Sequence, residues 1–378
     1  MDRLLKDGNP LGFLILFIVL AGCTPTGNNN LSITVKSVDI DIPIGAEYLS
    51  SYYDSDFFHK DGNSFFIGYN HTTHSFDYFD LKNQKAYKSI HLDNEGPGGI
   101  PSVGRFAANN NFITAIYGNT FIFFLSHDGH VIKKIRFDDI QGTDGLSLAP
   151  LELTFGNFSR ISFSDTSILH LPVYQRLKRR ENSFYNHFYI MEIHFDGEEI
   201  NTSLTMCDFP KVFRENFYGD LDLPYVGLLN GNLVYNFPVL PKLFRLGGRQ
   251  HSIDILTLES AKPQNMTSPF NKAAYTNSAA RRDYFFNSPR FFYPLYDPYR
   301  KLHYIVRKNK TESPADKYKE NFLMIFNKDF EYLHEVRIDP SLTPIYDIIE
   351  AGLVFSYNPK SIKDENHLSF RVMDVTVK

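Results

Sequence analysis

Tryptophan is absent from this chain, and cysteine occurs only twice, at Cys23 and Cys207. Two thiols, one of which has another use below, exclude a disulfide framework and a cysteine-rich zinc site. Net charge is also scarce: −4 over 378 residues provides no field to concentrate a polyanion, so nucleic acid is disfavoured as a partner. The apolar run Leu11–Leu20 has about half of the roughly 20 residues that a membrane-spanning helix needs. After residue 30 no amphipathic helical period of convincing length survives. Neither a Gly-x-Ser-x-Gly elbow nor a His-Glu-x-x-His pair occurs, which weakens hydrolase readings without excluding them.

What is present begins at the amino terminus. Leu20-Ala21-Gly22-Cys23 follows the apolar run directly and resembles a bacterial lipobox. The resemblance implies that the Cys23 sulfur takes a diacylglycerol, that the peptide is cut before Cys23, and that the new amino terminus is acylated. That chemistry needs a thiol nucleophile with small neighbours, so that a peptidase can reach the bond. Residues 1–22 then read as a lipoprotein signal peptide, Cys23–Asn30 as a flexible tether, and residues 31–378 as the folded domain. Two or three acyl chains, at about 0.8 kcal/mol per buried CH₂, would hold the protein to a membrane without a spanning helix. One feature departs from the pattern: Asp2 and Asp7 cancel Arg3 and Lys6, where a signal peptide usually opens with net positive charge. The expected location is the cell envelope, at the outer membrane and facing the periplasm. No acidic cluster after Cys23 points to export to the outer face.

The chain carries 35 Phe and 23 Tyr, a load that suits packed strands. The fold reads as all-β, and one unit recurs: an apolar strand, a polar turn and an alternating strand. The clearest copy is Phe121–Leu125, the turn His127-Asp128-Gly129 and Val131–Phe137, with Asp-Gly supplying the positive φ of a tight hairpin. Others are Ser75–Leu81 with Ala86–Leu92, Phe188–Phe195 with Glu199–Met206, and Phe322–Phe326 with Tyr332–Ile338. A weaker one starts at Ser252–Leu258 and runs toward Met266. A last first strand, Leu368–Val377, meets the chain end without a partner.

Further short strands, such as Ser64–Tyr69 and Asn111–Tyr117, precede these hairpins. They make four strands per unit, the pattern of β-propeller blades. The spare strand Leu31–Ile42 could supply the missing outer strand of the last blade and close the ring. This predicts a six-bladed β-propeller closed by its N- and C-terminal strands, with seven blades as the alternative and a pair of β-sandwiches as the competitor. The lipobox, Leu92–Ile100 after the first hairpin and Tyr296–Tyr304 together resemble a family of uncharacterised Bacteroidota lipoproteins, domain of unknown function 4221. That family implies a six-bladed propeller across essentially the whole mature chain and brings no known activity.

Candidate sites follow from side-chain chemistry. The densest group is Arg281, Arg282 and Tyr284, followed by Arg290 and Tyr293, then Tyr296, Asp297 and Arg300. Guanidinium groups beside tyrosines suit carboxylates, sugars or peptide termini. His71 and His74 could share a metal only if a third ligand came from elsewhere, and none is indicated, so no metal or other cofactor is expected. Glu95–Gly99 reads as a crossing between blades, Arg176–Arg180 as a solvated loop and Cys207 as a small core filler. The functional expectation is a monomeric, lipid-anchored module that binds a glycan, peptide or protein partner. The alternative is a propeller hydrolase or lyase, for which three or more Asp, Glu or Asn side chains should converge on an ion in the central channel. A third possibility is a sensor that passes ligand state to a membrane partner.

Overall fold

A computed structural model describes residues 32–378, apart from residues 97, 119, 141–147, 151–161, 164–167, 176–180, 196–198, 248–251, 259–265, 310–319 and 363. The first strand, β1 (Ile33–Pro43), skips its sequence neighbours. Blade 1 is the meander β2 (Ser55–Lys60), β3 (Asn63–Asn70), β4 (Ser75–Asp80) and β5 (Lys85–His91). Blade 2 follows as β6 (Arg105–Ala108), β7 (Phe112–Tyr117), β8 (Phe121–Ser126) and β9 (Val131–Arg136). Blade 3 contains β10 (Leu148–Pro150), a short β11 (Ser162–Phe163), β12 (Ile168–Gln175), β13 (His187–Phe195) and β14 (Ile200–Asp208). Helix α1 (Val212–Glu215) leads to blade 4, which is β15 (Tyr225–Leu229), β16 (Asn232–Asn236), β17 (Lys242–Gly247) and β18 (Ser252–Thr257). Helix α2 (Ser278–Asn287) precedes blade 5: β19 (Arg290–Asp297), β20 (Leu302–Lys308), β21 (Asn321–Phe326) and β22 (Tyr332–Ile338). Blade 6 is β23 (Leu342–Ile349), β24 (Gly352–Tyr357), β25 (His367–Val377) and, as its outer strand, β1.

The closure is therefore as expected. β1 and β25 pair antiparallel from Ile33↔Val377 to Pro43↔His367. Ser32 and Lys378 extend the ladder with reciprocal backbone bonds of 3.0 Å. Six sheets form the ring, and each is seamed to the next by apolar side chains. Phe66 and Phe370 lock blades 1 and 6 at 4.9 Å between ring centroids, Phe76 and Phe106 lock blades 1 and 2 at 4.8 Å, and Phe124 and Phe195 lock blades 2 and 3 at 4.8 Å. Phe188 and Tyr235 join blades 3 and 4 at 5.2 Å. The aromatic surplus of the sequence is spent on these seams, where a large ring buries 150–250 Å².

One expectation needs correction. Ser252–Leu258 does not open a hairpin toward Met266, because Ser252–Thr257 is the outer strand of blade 4 and pairs backwards with Lys242–Gly247. The absence of an amphipathic helical period is matched by α2, the longest helix among the described residues. α2 is ten residues long and begins where the Asn277 side chain accepts a 3.0 Å bond from the Ala280 N–H, an N-cap. Only Phe285 is buried along it, so it carries no apolar stripe that a periodicity search could find. Among the described residues no helix is long and apolar enough to cross a membrane.

In a meander, turns alternate between the two ends of a blade. Turns between first and second and between third and fourth strands lie on one face of the disc, here the turn face. Turns between second and third strands lie on the other, with the blade-to-blade connections; this is the connection face. Ser32 and Lys378 stand where blade 6 would have its third-to-fourth turn, so both ends of the ring open on the turn face.

Candidate functional site

The densest group in the sequence is divided by β19. Arg281, Arg282 and Tyr284 lie on α2 at the connection face, Arg290 and Tyr293 lie within the strand, and Asp297 and Arg300 lie at the turn face. Seven steps at about 3.3 Å each put Arg290 and Asp297 roughly 23 Å apart.

At the connection face these side chains hold structure together. Arg281 Nη2 donates to Asp220 Oδ2 at 2.9 Å, Tyr275 donates to Oδ1 at 3.1 Å, and the guanidinium lies 4.3 Å from the Tyr275 ring centre. Asp220, itself buried, thus ties α2 to the connection after blade 3. The Tyr284 hydroxyl donates to the Ser268 carbonyl at 2.9 Å, and its ring packs 4.7 Å from Phe270. Burial pushes the Arg290 guanidinium down to about 10, and it donates to the Phe285 carbonyl at 2.9 Å. Arg282 alone of this group is exposed.

Tyr293 meets a partner that sequence reasoning missed. Its ring stacks on Tyr346 at 4.9 Å and 10°. The Tyr293 hydroxyl donates to the Tyr346 carbonyl at 2.7 Å, and the Tyr346 hydroxyl donates to the Tyr293 carbonyl at 2.5 Å. Both strands bulge here: the β19 register shifts between Phe291 and Pro294, and the β23 register between Leu342 and Tyr346, a stretch containing Pro344. A bulge strands backbone groups that a ladder would pair. Each phenol oxygen accepts one of them, Val306 N–H at 3.0 Å for Tyr346 and Tyr346 N–H at 3.1 Å for Tyr293.

At the turn face, Asp297 is fully buried and accepts from the Tyr299 N–H at 2.9 Å and the Arg300 N–H at 3.0 Å. Arg300 spans the seam to blade 6, donating to Asp297 Oδ2 at 3.2 Å, Asp374 Oδ1 at 2.7 Å and the Glu350 carbonyl at 3.2 Å. Burial alone would lower its pKa, but the Asp374 bond and the Asp297 charge reverse the sign and raise it. Tyr296 packs 4.9 Å from the His303 ring. Between blades 5 and 6 lies a cavity of about 430 Å³, walled by Tyr299, Arg300, Glu350, Asp374 and Val375–Val377. Tyr299 is 52% exposed, while burial and the charges of Glu350 and Asp297 push its phenol up. Because Arg300 and Asp374 are committed to each other, the charged group that the wall leaves for a ligand is the carboxylate of Glu350.

The remaining candidates are dispersed. His71 lies 2.8 Å from Asp54, while His74 contacts the Tyr69 hydroxyl at 2.5 Å and the Ile100 carbonyl at 2.8 Å. Glu95–Gly99 falls between β5 and β6, with Gly96 at φ 93°. Cys207 is buried, and desolvation pushes its thiol up to about 12. Cys23 and Arg176–Arg180 lie outside the described residues. Among the described residues, no three His, Cys, Asp or Glu side chains are placed to hold a metal ion. Some inner-strand polar groups serve neighbouring backbone: His59 Nε2 meets the Ile348 carbonyl at 2.9 Å, and the Ala108 N–H donates to Asp56 at 2.8 Å.

The sequence matches the family described as "Domain of unknown function (DUF4221)" over residues 28–337. The chain belongs to the DUF4221 family. Its structure is similar to the crystal structure of a DUF4221 member from Bacteroides vulgatus, at 18% identity and a TM-score of 0.71, covering 92% of this chain and 99% of that one. A Bacteroides fragilis protein described as an exported-protein candidate matches at 13% identity and a TM-score of 0.51, covering 91% of this chain and 95% of that one. At these identities the likeness concerns the fold. No curated protein matches the chain. The DUF4221 fold is thus a six-bladed ring in this chain, with its termini zipped together.

Proposed function

We propose that this DUF4221 propeller is exported, held at the outer membrane by acyl chains on Cys23, and acts there as a binding module for a peptide, protein or glycan partner. The observation that carries the reading is the cavity between blades 5 and 6, whose volume of about 430 Å³ falls within the roughly 300–1,000 Å³ typical of ligand sites. Its floor is pre-formed, since the Asp297–Arg300 turn is bonded throughout. The exposed Tyr299 and the carboxylate of Glu350 favour an amine-bearing ligand, such as a lysine side chain or the amino terminus of a partner. The likeness to an exported-protein candidate supports a place outside the cytoplasm.

Titration of the mature protein with a lysine-rich peptide array tests the site. Binding that weakens about tenfold in Glu350→Gln and in Tyr299→Ala, at unchanged melting temperature, supports it; binding indifferent to both substitutions overturns it. Mass spectrometry of the mature amino terminus tests the anchor, which an unmodified chain beginning at Met1 would refute.

A further inference from the structure

We propose that a second recess, on the turn face between blades 1 and 2, binds a single pyranose ring of a neutral glycan. The inference rests on the binding-module reading but names a different recess and a different ligand. The recess has a volume of about 200 Å³, below the roughly 300 Å³ where drug-sized ligands begin. One ring fits, and the rest of a chain must leave over the rim.

One wall is a run of aromatic rings that ends in solvent. His127 stacks on Phe58 at 5.0 Å and 22°, Phe58 on Phe65 at 5.3 Å and 18°, and Phe65 meets Tyr87 at 5.4 Å. Phe58 and Phe65 are 5% and 8% exposed, whereas Tyr87 is 54% exposed. The buried rings hold one side of Tyr87 and leave the phenol open at the mouth. A ring of this kind offers an apolar face with a hydroxyl at its edge, which matches the C–H face and hydroxyl rim of a pyranose.

The polar rim excludes the competing ligands. Lys60 and Lys88 are balanced by Asp61 and Asp80, so the recess has no net charge to attract an ion. Asp80 accepts from Asn83 N at 2.9 Å and Asn83 Nδ2 at 2.7 Å. Lys88 donates to the His127 carbonyl, and its ammonium lies 5.0 Å from the Tyr78 ring and 6.0 Å from the Tyr87 ring. The cation–π position beside Tyr87 is therefore filled by the protein itself, which disfavours an ammonium ligand. A wholly apolar ligand would strip water from two lysines and two carboxylates without replacing their bonds. A hydroxyl-rich neutral ring both donates to the carboxylates and accepts from the ammonium groups.

The test is calorimetric titration of the mature protein with neutral linear pentasaccharides of glucose, mannose, galactose and N-acetylglucosamine. At least one should bind saturably, equally well at 50 mM and 500 mM salt. Tyr87→Ala should weaken it tenfold or more, Tyr87→Phe much less, and neither should move the melting temperature. Absence of binding by all four, undiminished binding in Tyr87→Ala, or loss of binding with salt would overturn the proposal. Peptide binding that survives in Tyr87→Ala and fails in Glu350→Gln would show that the blade 5–6 reading stands when the glycan one falls.

Discussion

The Tyr293–Tyr346 pair does at residue scale what a ladder does elsewhere: it satisfies backbone groups that two prolines and two bulges leave over. Tyr346→Phe keeps the stack but removes the acceptor for Val306 N–H and the donor to the Tyr293 carbonyl. Each buried group left unpaired costs about 1–3 kcal/mol, so a loss of about 2–6 kcal/mol is expected in urea unfolding. A change under 0.5 kcal/mol would show that water replaces the phenol. His303 gives a second expectation. It lies between Phe330, 3.9 Å away, and Tyr296, and burial pushes its pKa down to about 4 from an ordinary 6.5. The unfolded chain binds the proton first, so the neutral side chain's contribution is complete above pH 6.5 and is lost as pH falls toward 4. Burial lowers the pKa of His127 as well, adding to the same trend. The urea midpoint should fall between pH 7 and pH 5, and His303→Phe should flatten part of that fall. An equal slope in the variant would remove His303 from the account.

At the scale of elements, the joint between β1 and β25 bears on everything else, because without it blade 6 presents an open edge and the seam to blade 1 loses a wall. Ile42 is fully buried in that seam beside Phe57 and Phe370. Ile42→Ala should cost about 2–5 kcal/mol, the usual range for emptying a core aliphatic site, measured as a drop in melting temperature; a near-neutral result would mean that the ring holds without its zipper. This closure is legible in the sequence, because alternation in Leu31–Ile42 and the orphan at Leu368–Val377 are local signals that need only each other. Four hairpins were legible for the same reason: an apolar strand, a polar turn and a second strand are adjacent in the chain. Blade 4 was misread because Ser252–Thr257 alternates well on its own, so nothing local says whether its partner lies ahead or behind. Helix α2 escaped because it buries a single residue, Phe285, and is held otherwise by polar bonds to distant positions, so it shows no apolar stripe. The candidate residues are close in sequence but not in space, because β19 carries them from one face of the ring to the other. The partners that decide the roles of Arg281 and Arg300 are Asp220 and Asp374, 61 and 74 residues away, and single-sequence reading has no access to them.

For the whole molecule, the position of the chain ends gives the proposed anchor a direction. Nine residues separate Cys23 from Ser32, a length whose typical end-to-end distance is about 16 Å, whereas a domain of this size has a radius of gyration of about 20 Å. A link that short favours orientations in which the face where it ends lies toward the bilayer. Since β1 begins on the turn face at the rim of blade 6, that face should stay near the bilayer and α2 should point away from it. Both recesses described above open on the near side, so their ligands would be met in the gap beside the membrane. The geometry can be measured with single labels, because Cys207 is buried and its thiol is pushed up to about 12, leaving it unreactive while the fold holds. In the lipidated protein on vesicles, a fluorophore at Lys82→Cys, in the turn after β4, should be quenched by headgroup nitroxides several times more than one at Arg282→Cys on α2. Equal quenching at the two positions would mean that the disc tumbles freely or lies the other way, and would remove the directional consequence of the anchor while leaving the ring intact.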